Sequence, residues 1–209
     1  MSSQPAVRGF LHVPGTANGR GLVLTHGAGA NSQSKLLTSL ASAFADTGFT
    51  VLRFDLPFRQ QRRYGPPSPG SAATDRDGVR RAITVLRTHV TGHVYAGGHS
   101  YGGRQATMLL AENEGLAAGL LLLSYPLHPP RKPAELRVKH FPQLSTPALF
   151  VHGSRDPFGS IAELDAALKL IPARTKLMEV AGAGHDLTSA KTAGNLPPEI
   201  VQTFQDFFS

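Results

Sequence analysis

The sequence predicts an α/β fold, a three-layer αβα sandwich around a mainly parallel sheet of about seven strands. Three observations carry this. Short apolar runs alternate with segments of helical period along the whole chain. One of those runs, AAGLLLLSY at 117–125, is apolar almost throughout, as in a strand covered on both faces. The chain has 209 residues with 41% apolar content, enough for one domain with a substantial core, so a single domain over 1–209 is expected.

In order, GFLHV (9–13) and GLVLTHG (21–27) read as strands, the first half-buried and the second a short apolar run closed by glycine. SKLLTSLASAFADTG (34–48) has apolar residues at helical spacing and closes on Gly48, a good residue just past a helix end. FTVLRFD (49–55) is β-branched and aromatic, hence a strand. A loop rich in Pro, Gly and Arg follows at 56–72. The helix predicted over 72–90 carries its acids early and its bases late, as the helix dipole prefers. HVYAGG (93–98) is a strand and YGGRQATMLLAEN (101–113) a helix. The stretch 126–146 is an irregular excursion with five prolines. PALFVHG (147–153) and TKLMEVAG (175–182) are strands, SIAELDAALKLI (160–171) a helix, and 197–208 a closing helix with prolines in its first turn.

Composition removes several chemistries. With Cys 0 there is no disulfide, no thiolate metal site and no cysteine nucleophile. The first fifteen residues lack a basic segment followed by an apolar core, and no apolar run approaches the roughly 18 residues of a membrane span. A soluble, cytoplasmic protein with no membrane contact is therefore expected. The net charge of +7 is compatible with an anionic substrate. Arg59, Arg62 and Arg63 in the 56–72 loop could recruit one, or simply form a solvated basic loop. No nucleic-acid motif accompanies the charge.

In open parallel sheets, sites form beyond the carboxyl ends of strands. Four segments fall there. GGHSYGG (97–103) contains Gly98-His99-Ser100-Tyr101-Gly102, a G-x-S-x-G pattern between a strand and a helix. A serine on such a sharp turn needs small residues two before and two after it, and Gly98 and Gly102 supply them. VHGSRDPFG (151–159) places Asp156 after a strand, and VAGAGHDL (180–187) places His185 after the next. LTHGAGAN (24–31) lies where a first oxyanion loop belongs. A serine hydroxyl is a weak nucleophile, so it requires a base, a group that orients the base, and donors aimed at the oxyanion.

On these residues the chain resembles the α/β-hydrolase superfamily over almost its whole length. The order Ser100, Asp156, His185 is the order that family uses. Through GGHSYGGR (97–104), SYPLHPP (124–130) and LFVHGSRDPFG (149–159) it is similar, more narrowly, to the compact dienelactone-hydrolase-related branch. That branch includes small predicted bacterial hydrolases, testis-expressed relatives and a subunit of the NSL histone-acetyltransferase complex. The resemblance implies Ser100 as nucleophile, His185 as base and Asp156 as its orienter, with the backbone N–H groups of Tyr101 and Ala28 as oxyanion donors and Gly27 as the fallback. It implies a small-molecule acyl substrate, a carboxylic ester above all, and no cofactor. The 126–146 excursion is too short and proline-broken for a lid domain, so the expected form has a minimal lid or none.

Other readings stand beside these. Ser100 and His185 could be ordinary loop residues. Asp55, ending an earlier strand, is the rival orienter, whereas Asp186 adjoins the histidine it would have to hold. His26, His99 and His152 would reach the same edge, but without metal-ligand spacing they read as turn formers bonded to backbone carbonyls. HGAGAN lacks either nucleotide-binding glycine pattern. Arg104 could pair with Asp75 or Asp77 and pin loops together. At the level of function the alternatives are a non-catalytic scaffold on a hydrolase fold and an amide or peptide hydrolase.

Overall fold

The computed structural model describes residues 6–188 and 195–209. Among these residues seven strands form one sheet: β1 (Gly9–His12), β2 (Gly21–Thr25), β3 (Thr50–Phe54), β4 (Val94–His99), β5 (Leu120–Leu123), β6 (Ala148–Gly153) and β7 (Thr175–Val180). Their order is β1-β3-β2-β4-β5-β6-β7, with β1 antiparallel to β3 and every other pair parallel. The described residues also form six α-helices: α1 (Lys35–Asp46), α2 (Pro57–Gln61), α3 (Ser71–Arg87), α4 (Tyr101–Ala111), α5 (Ile161–Leu168) and, after the last strand, α6 (Leu196–Phe207).

The period-2 alternation of the strands makes the three layers. On β5, Leu120 and Leu122 face one way and Leu121 and Leu123 the other, and all four are fully buried. The first pair joins Val79 and Ile83 of α3, Leu109 of α4 and Leu164 of α5. The second joins Leu40 and Phe44 of α1 and Ile200 and Phe204 of α6. Phe204 sits edge-on to Phe44, with ring centroids 5.1 Å apart. The uniform apolar run of the sequence is thus a central strand buried on both faces. The outer strand β1 is largely exposed.

Three segments differ from what the sequence predicts, the first being β1, which is expected half-buried but lies exposed at the antiparallel edge of the sheet. Residues 57–61 of the expected loop form a short helix, begun by Pro57 at its first position and with Phe58 and Arg59 buried. The strand expected over 117–125 is only Leu120–Leu123, and at its carboxyl end Ser124 takes a positive φ of 50° that ends the extended chain. The excursion after it contributes one 3₁₀ turn, Phe141–Gln143, whose Phe141 plugs into the core. No helix among the described residues is long and apolar enough to cross a membrane.

Candidate active site

The carboxyl ends of β2, β4, β6 and β7 carry the four segments expected there. Ser100 is the hinge between β4 and α4, with φ 51° and ψ −117°. A non-glycine residue in this region stores on the order of 1–3 kcal/mol, and persists only where its surroundings hold it. Here the sheet and the helix hold it from opposite ends. Ser100 N–H donates to Leu123 O at 2.8 Å, and Ser100 O accepts from Arg104 N–H at 3.0 Å. The glycines on either side have a steric cause. A Cβ at Gly98 would lie 2.4 Å from Thr25 O, and one at Gly102 would lie 2.6 Å from His26 O. Only bare backbone lets β4 and α4 approach β2 this closely.

Ser100 Oγ lies 2.8 Å from His185 Nε2, and His185 Nδ1 lies 2.8 Å from Asp156 Oδ2. A carboxylate can only accept, so Asp156 fixes the Nδ1–H tautomer and turns the Nε2 lone pair to the serine. The Asp156 side chain is fully buried while that of His185 is 23% exposed. Asp156 Oδ1 accepts the Phe158 N–H at 2.9 Å, and the Phe158 ring lies 4.2 Å from the His185 ring at 33°. One short turn therefore supplies the orienting acid and a wall for the imidazole. The rival acids lie elsewhere: Asp55 accepts Ser32 N–H at 2.7 Å, and Asp186 accepts Thr188 N–H at 3.1 Å.

The other histidines at this edge bond to backbone carbonyls. His99 Nε2–H donates to His185 O at 2.7 Å and so braces the loop that carries the base. Burial pushes the His99 pKa down to about 4. His152 Nε2–H donates to Gly159 O at 2.8 Å. His26 is fully buried; its Nε2 accepts Leu56 N–H at 3.1 Å and its Nδ1–H donates to Gly27 O at 2.8 Å. That pattern requires a neutral ring, and burial lowers its pKa accordingly. Among the described residues no group of three or more His, Asp or Glu could hold a metal ion.

Ala28 and Tyr101 flank the serine. A Cβ at Gly27 would lie 3.3 Å from Ser100 Cβ, so the 27–30 loop lies directly against the elbow. Tyr101 opens α4, where the first N–H groups have no helical acceptor. Among the described residues neither Ala28 N–H nor Tyr101 N–H donates to a protein group. The Tyr101 side chain points away from the relay, its hydroxyl donating to Asp75 Oδ2 at 2.7 Å. Asp75 is fully buried, which raises its carboxyl, and it also accepts Phe58 N–H at 3.0 Å. The expected pairing of Arg104 with Asp75 or Asp77 is not formed. Asp75 is taken by Tyr101, and Arg104 Nε is buried with no hydrogen-bond partner.

Arg59 is not placed as the sequence predicts. Far from being a solvated or substrate-recruiting base, it is 7% exposed and bonds four main-chain carbonyls, two of them in the 27–30 loop. A mainly apolar cavity of about 380 Å³ opens beside that loop, lined by Ala30, Leu36, His99, Leu187 and Leu196 among others.

Comparison with known proteins agrees with this architecture. The family model described as "Alpha/beta hydrolase domain" matches residues 18–208. Among solved structures, Est1E from Butyrivibrio proteoclasticus with ferulic acid bound superposes with a TM-score of 0.77 at 14% identity, over 96% of this chain and 95% of that one. A serine hydrolase without a lid from Xanthomonas campestris gives 0.75 at 16% identity, over 99% and 96%. A dienelactone hydrolase from Anabaena variabilis gives 0.71 at 19% identity, over 98% and 99%. At these identities the structures establish a shared fold. They do not bear on the testis-expressed or NSL-complex relatives.

Proposed function

The chain belongs to the alpha/beta hydrolase domain family, and we propose that it is a serine hydrolase cleaving a carboxylic ester through Ser100, His185 and Asp156. One observation carries this reading. The Ser100 hydroxyl, the His185 imidazole and the Asp156 carboxylate form a continuous relay with 2.8 Å at each link.

In this reading His185 Nε2 takes the Ser100 proton as Oγ attacks the substrate carbonyl carbon. The carbonyl oxygen becomes an oxyanion, held by the N–H groups of Ala28 and Tyr101. Asp156 stabilises the imidazolium without taking its proton. The tetrahedral species collapses, the carbon–oxygen bond to the leaving alcohol breaks, and His185 gives that alcohol its proton. A water then attacks the acyl-enzyme, with His185 again the base. The acid leaves and Ser100 regains its hydrogen. Apart from that water, every step uses side chains and backbone N–H groups of the chain. The cavity beside Ala30 offers apolar room for one arm of the ester, and a minimal lid suits substrates free in solution.

Labelling with a fluorophosphonate probe tests this without knowledge of the substrate, since the probe needs only an activated serine and oxyanion donors. The adduct should map to Ser100 and be absent in Ser100→Ala and His185→Ala. A folded wild type that takes no label would turn the weight to a non-catalytic scaffold. Matched ester and amide substrates then decide the bond, and faster amide turnover would defeat the ester assignment.

A further inference from the structure

Arg59 lies on α2, away from the relay, and is 7% exposed. Among the described residues it has no carboxylate partner within ion-pair distance. Its donors go to main-chain carbonyls. Nε–H bonds Ala30 O at 2.8 Å, Nη2 bonds Ala28 O at 2.7 Å and Gly65 O at 2.9 Å, and Nη1 bonds Arg62 O at 3.0 Å. Burying a cation without a counter-charge is costly, and an apolar residue would fill the space more cheaply. A guanidinium does something an apolar residue does not: its rigid fork fixes several carbonyls in direction at once.

The direction matters because of what lies on the other side of Ala28. Gly27 O accepts His26 Nδ1–H at 2.8 Å and Ala30 N–H at 3.1 Å. In a trans peptide the C=O and N–H point opposite ways. Ala28 N–H is therefore turned away from His26 and left without a protein acceptor, in a loop packed against Ser100. The next peptide is fixed by Arg59 through Ala28 O. Rotating Ala28 to swing its N–H elsewhere would tear one carbonyl or the other from its partner. His26 and Arg59 also tie this loop to the same segment, since His26 Nε2 accepts from Leu56 N–H and Arg59 grows from α2.

We infer that Arg59 is a positioning residue for the oxyanion hole: its grip on Ala28 O and Ala30 O preorganises the Ala28 N–H for the transition state. The inference rests on the assignment of Ser100 as nucleophile. It concerns rate at the chemical step, because a donor aimed at the oxyanion acts in the transition state more than in the substrate complex.

The test uses steady-state hydrolysis of p-nitrophenyl acetate by the full chain, wild type against Arg59→Lys, Arg59→Met and the charge control Arg62→Ala. Fluorophosphonate labelling of the wild type at Ser100 comes first. If that fails, the hydrolase reading fails, and the question about Arg59 falls with it. With labelling in place, both Arg59 variants should stay folded by circular dichroism. Their kcat should fall about 30- to 300-fold with KM within about 3-fold, near the loss of one oxyanion donor. Lysine keeps the charge but not the fork, so it should recover only part of the loss. Arg62→Ala, which removes an exposed charge bonded to Ser68 Oγ, should stay within about 2-fold of wild type. Folded Arg59 variants with wild-type kcat would overturn the inference, as would full recovery by lysine. Loss of fold in both would assign Arg59 to stability alone and overturn it equally.

Discussion

Two halves of the site face each other across Ser100, and they are built from different material. On one side the relay is made of side chains: Ser100, His185 and Asp156, joined by two hydrogen bonds of 2.8 Å. On the other side lies the proposed oxyanion donor, the Ala28 N–H, between two carbonyls that His26 and Arg59 hold. In the proposed reaction the relay's chemistry is written in residue types, so changing one type removes it. The loop's chemistry is written in peptide orientation, so Ala28 can change its side chain with little consequence, while a residue 31 positions away controls the outcome. The two halves should therefore fail differently.

The largest effect is expected where a side chain is the reactant. Ser100→Ala and His185→Ala should each lower kcat by a factor on the order of 10⁵ to 10⁶, and the double variant should be scarcely worse, because the two act as a unit. Ester hydrolysis by the three purified variants checks this. Additive losses would mean that the serine and histidine do not share one step, and the comparison would break at its first term.

Asp156→Asn is expected next, at about 10⁴ in kcat. An amide nitrogen facing His185 Nδ1 would favour the other tautomer and put the proton on Nε2, where the lone pair is required. Activity of this variant should be restored little by higher pH, because tautomer and not charge is lost. If Asp55→Asn were the more damaging of the two substitutions, the acid would have been assigned to the wrong strand end.

Tyr101→Phe separates side chain from backbone at a single residue. Its N–H, the proposed second oxyanion donor, stays, so kcat should change by no more than several-fold. Its hydroxyl donates to the buried Asp75 at 2.7 Å, so stability should fall by about 1–3 kcal/mol, read from chemical denaturation. A loss of activity as complete as that of Ser100→Ala would show that the Tyr101 side chain, and not only its backbone, takes part.

The same division explains what could be read from the sequence. The meeting of Ser100, His185 and Asp156 at one sheet edge was legible because each has a residue type that the proposed chemistry needs and a place after a strand that periodicity locates. Gly98 and Gly102 were legible through sterics, and the close approaches to Thr25 and His26 are their cause. The fold followed from alternation, down to the doubly buried β5. Arg59 was not legible. It lies in a segment of Pro, Gly and Arg whose local pattern reads as solvated loop, and only tertiary packing makes it a short buried helix. Its partners are carbonyls, which every residue has, so no residue type announces them. The arginine run did hold a signal, since Leu56, Pro57 and Phe58 begin like a packed helix; its neighbours Arg62 and Arg63, which are exposed, concealed it. Arg104 failed for the opposite reason: two acids in the next helix back offered an obvious partner, and a tyrosine already held one of them.

The smallest effect expected is on pH dependence, and it distinguishes a brace of the relay from a histidine outside the site. Burial pushes His99 down to about 4, and burial together with the nearby Arg104 pushes His140 to about 4 as well. In the unfolded chain both titrate near 6.5. Between about 4 and 6.5 the unfolded chain thus binds more protons than the folded one, and stability present above pH 6.5 drains as pH falls through that window. Removing either histidine should flatten the fall, by up to about 1.4 kcal/mol per pH unit where the difference is one whole proton. Denaturation of wild type, His99→Gln and His140→Gln at a series of pH values from 7.5 to about 5 measures it, and differences between variants cancel the carboxylates they share. Activity then separates the pair. His140 bonds Thr107 and touches nothing in the relay, so His140→Gln should keep its kcat. His99 holds the carbonyl of His185 itself, so His99→Gln should lose several-fold in kcat even at pH 7.5, where stability is unaffected by its titration. Equal kcat for the two variants would mean that the His185 loop holds its place without the brace, and that the relay is as self-supporting as the 27–30 loop is not.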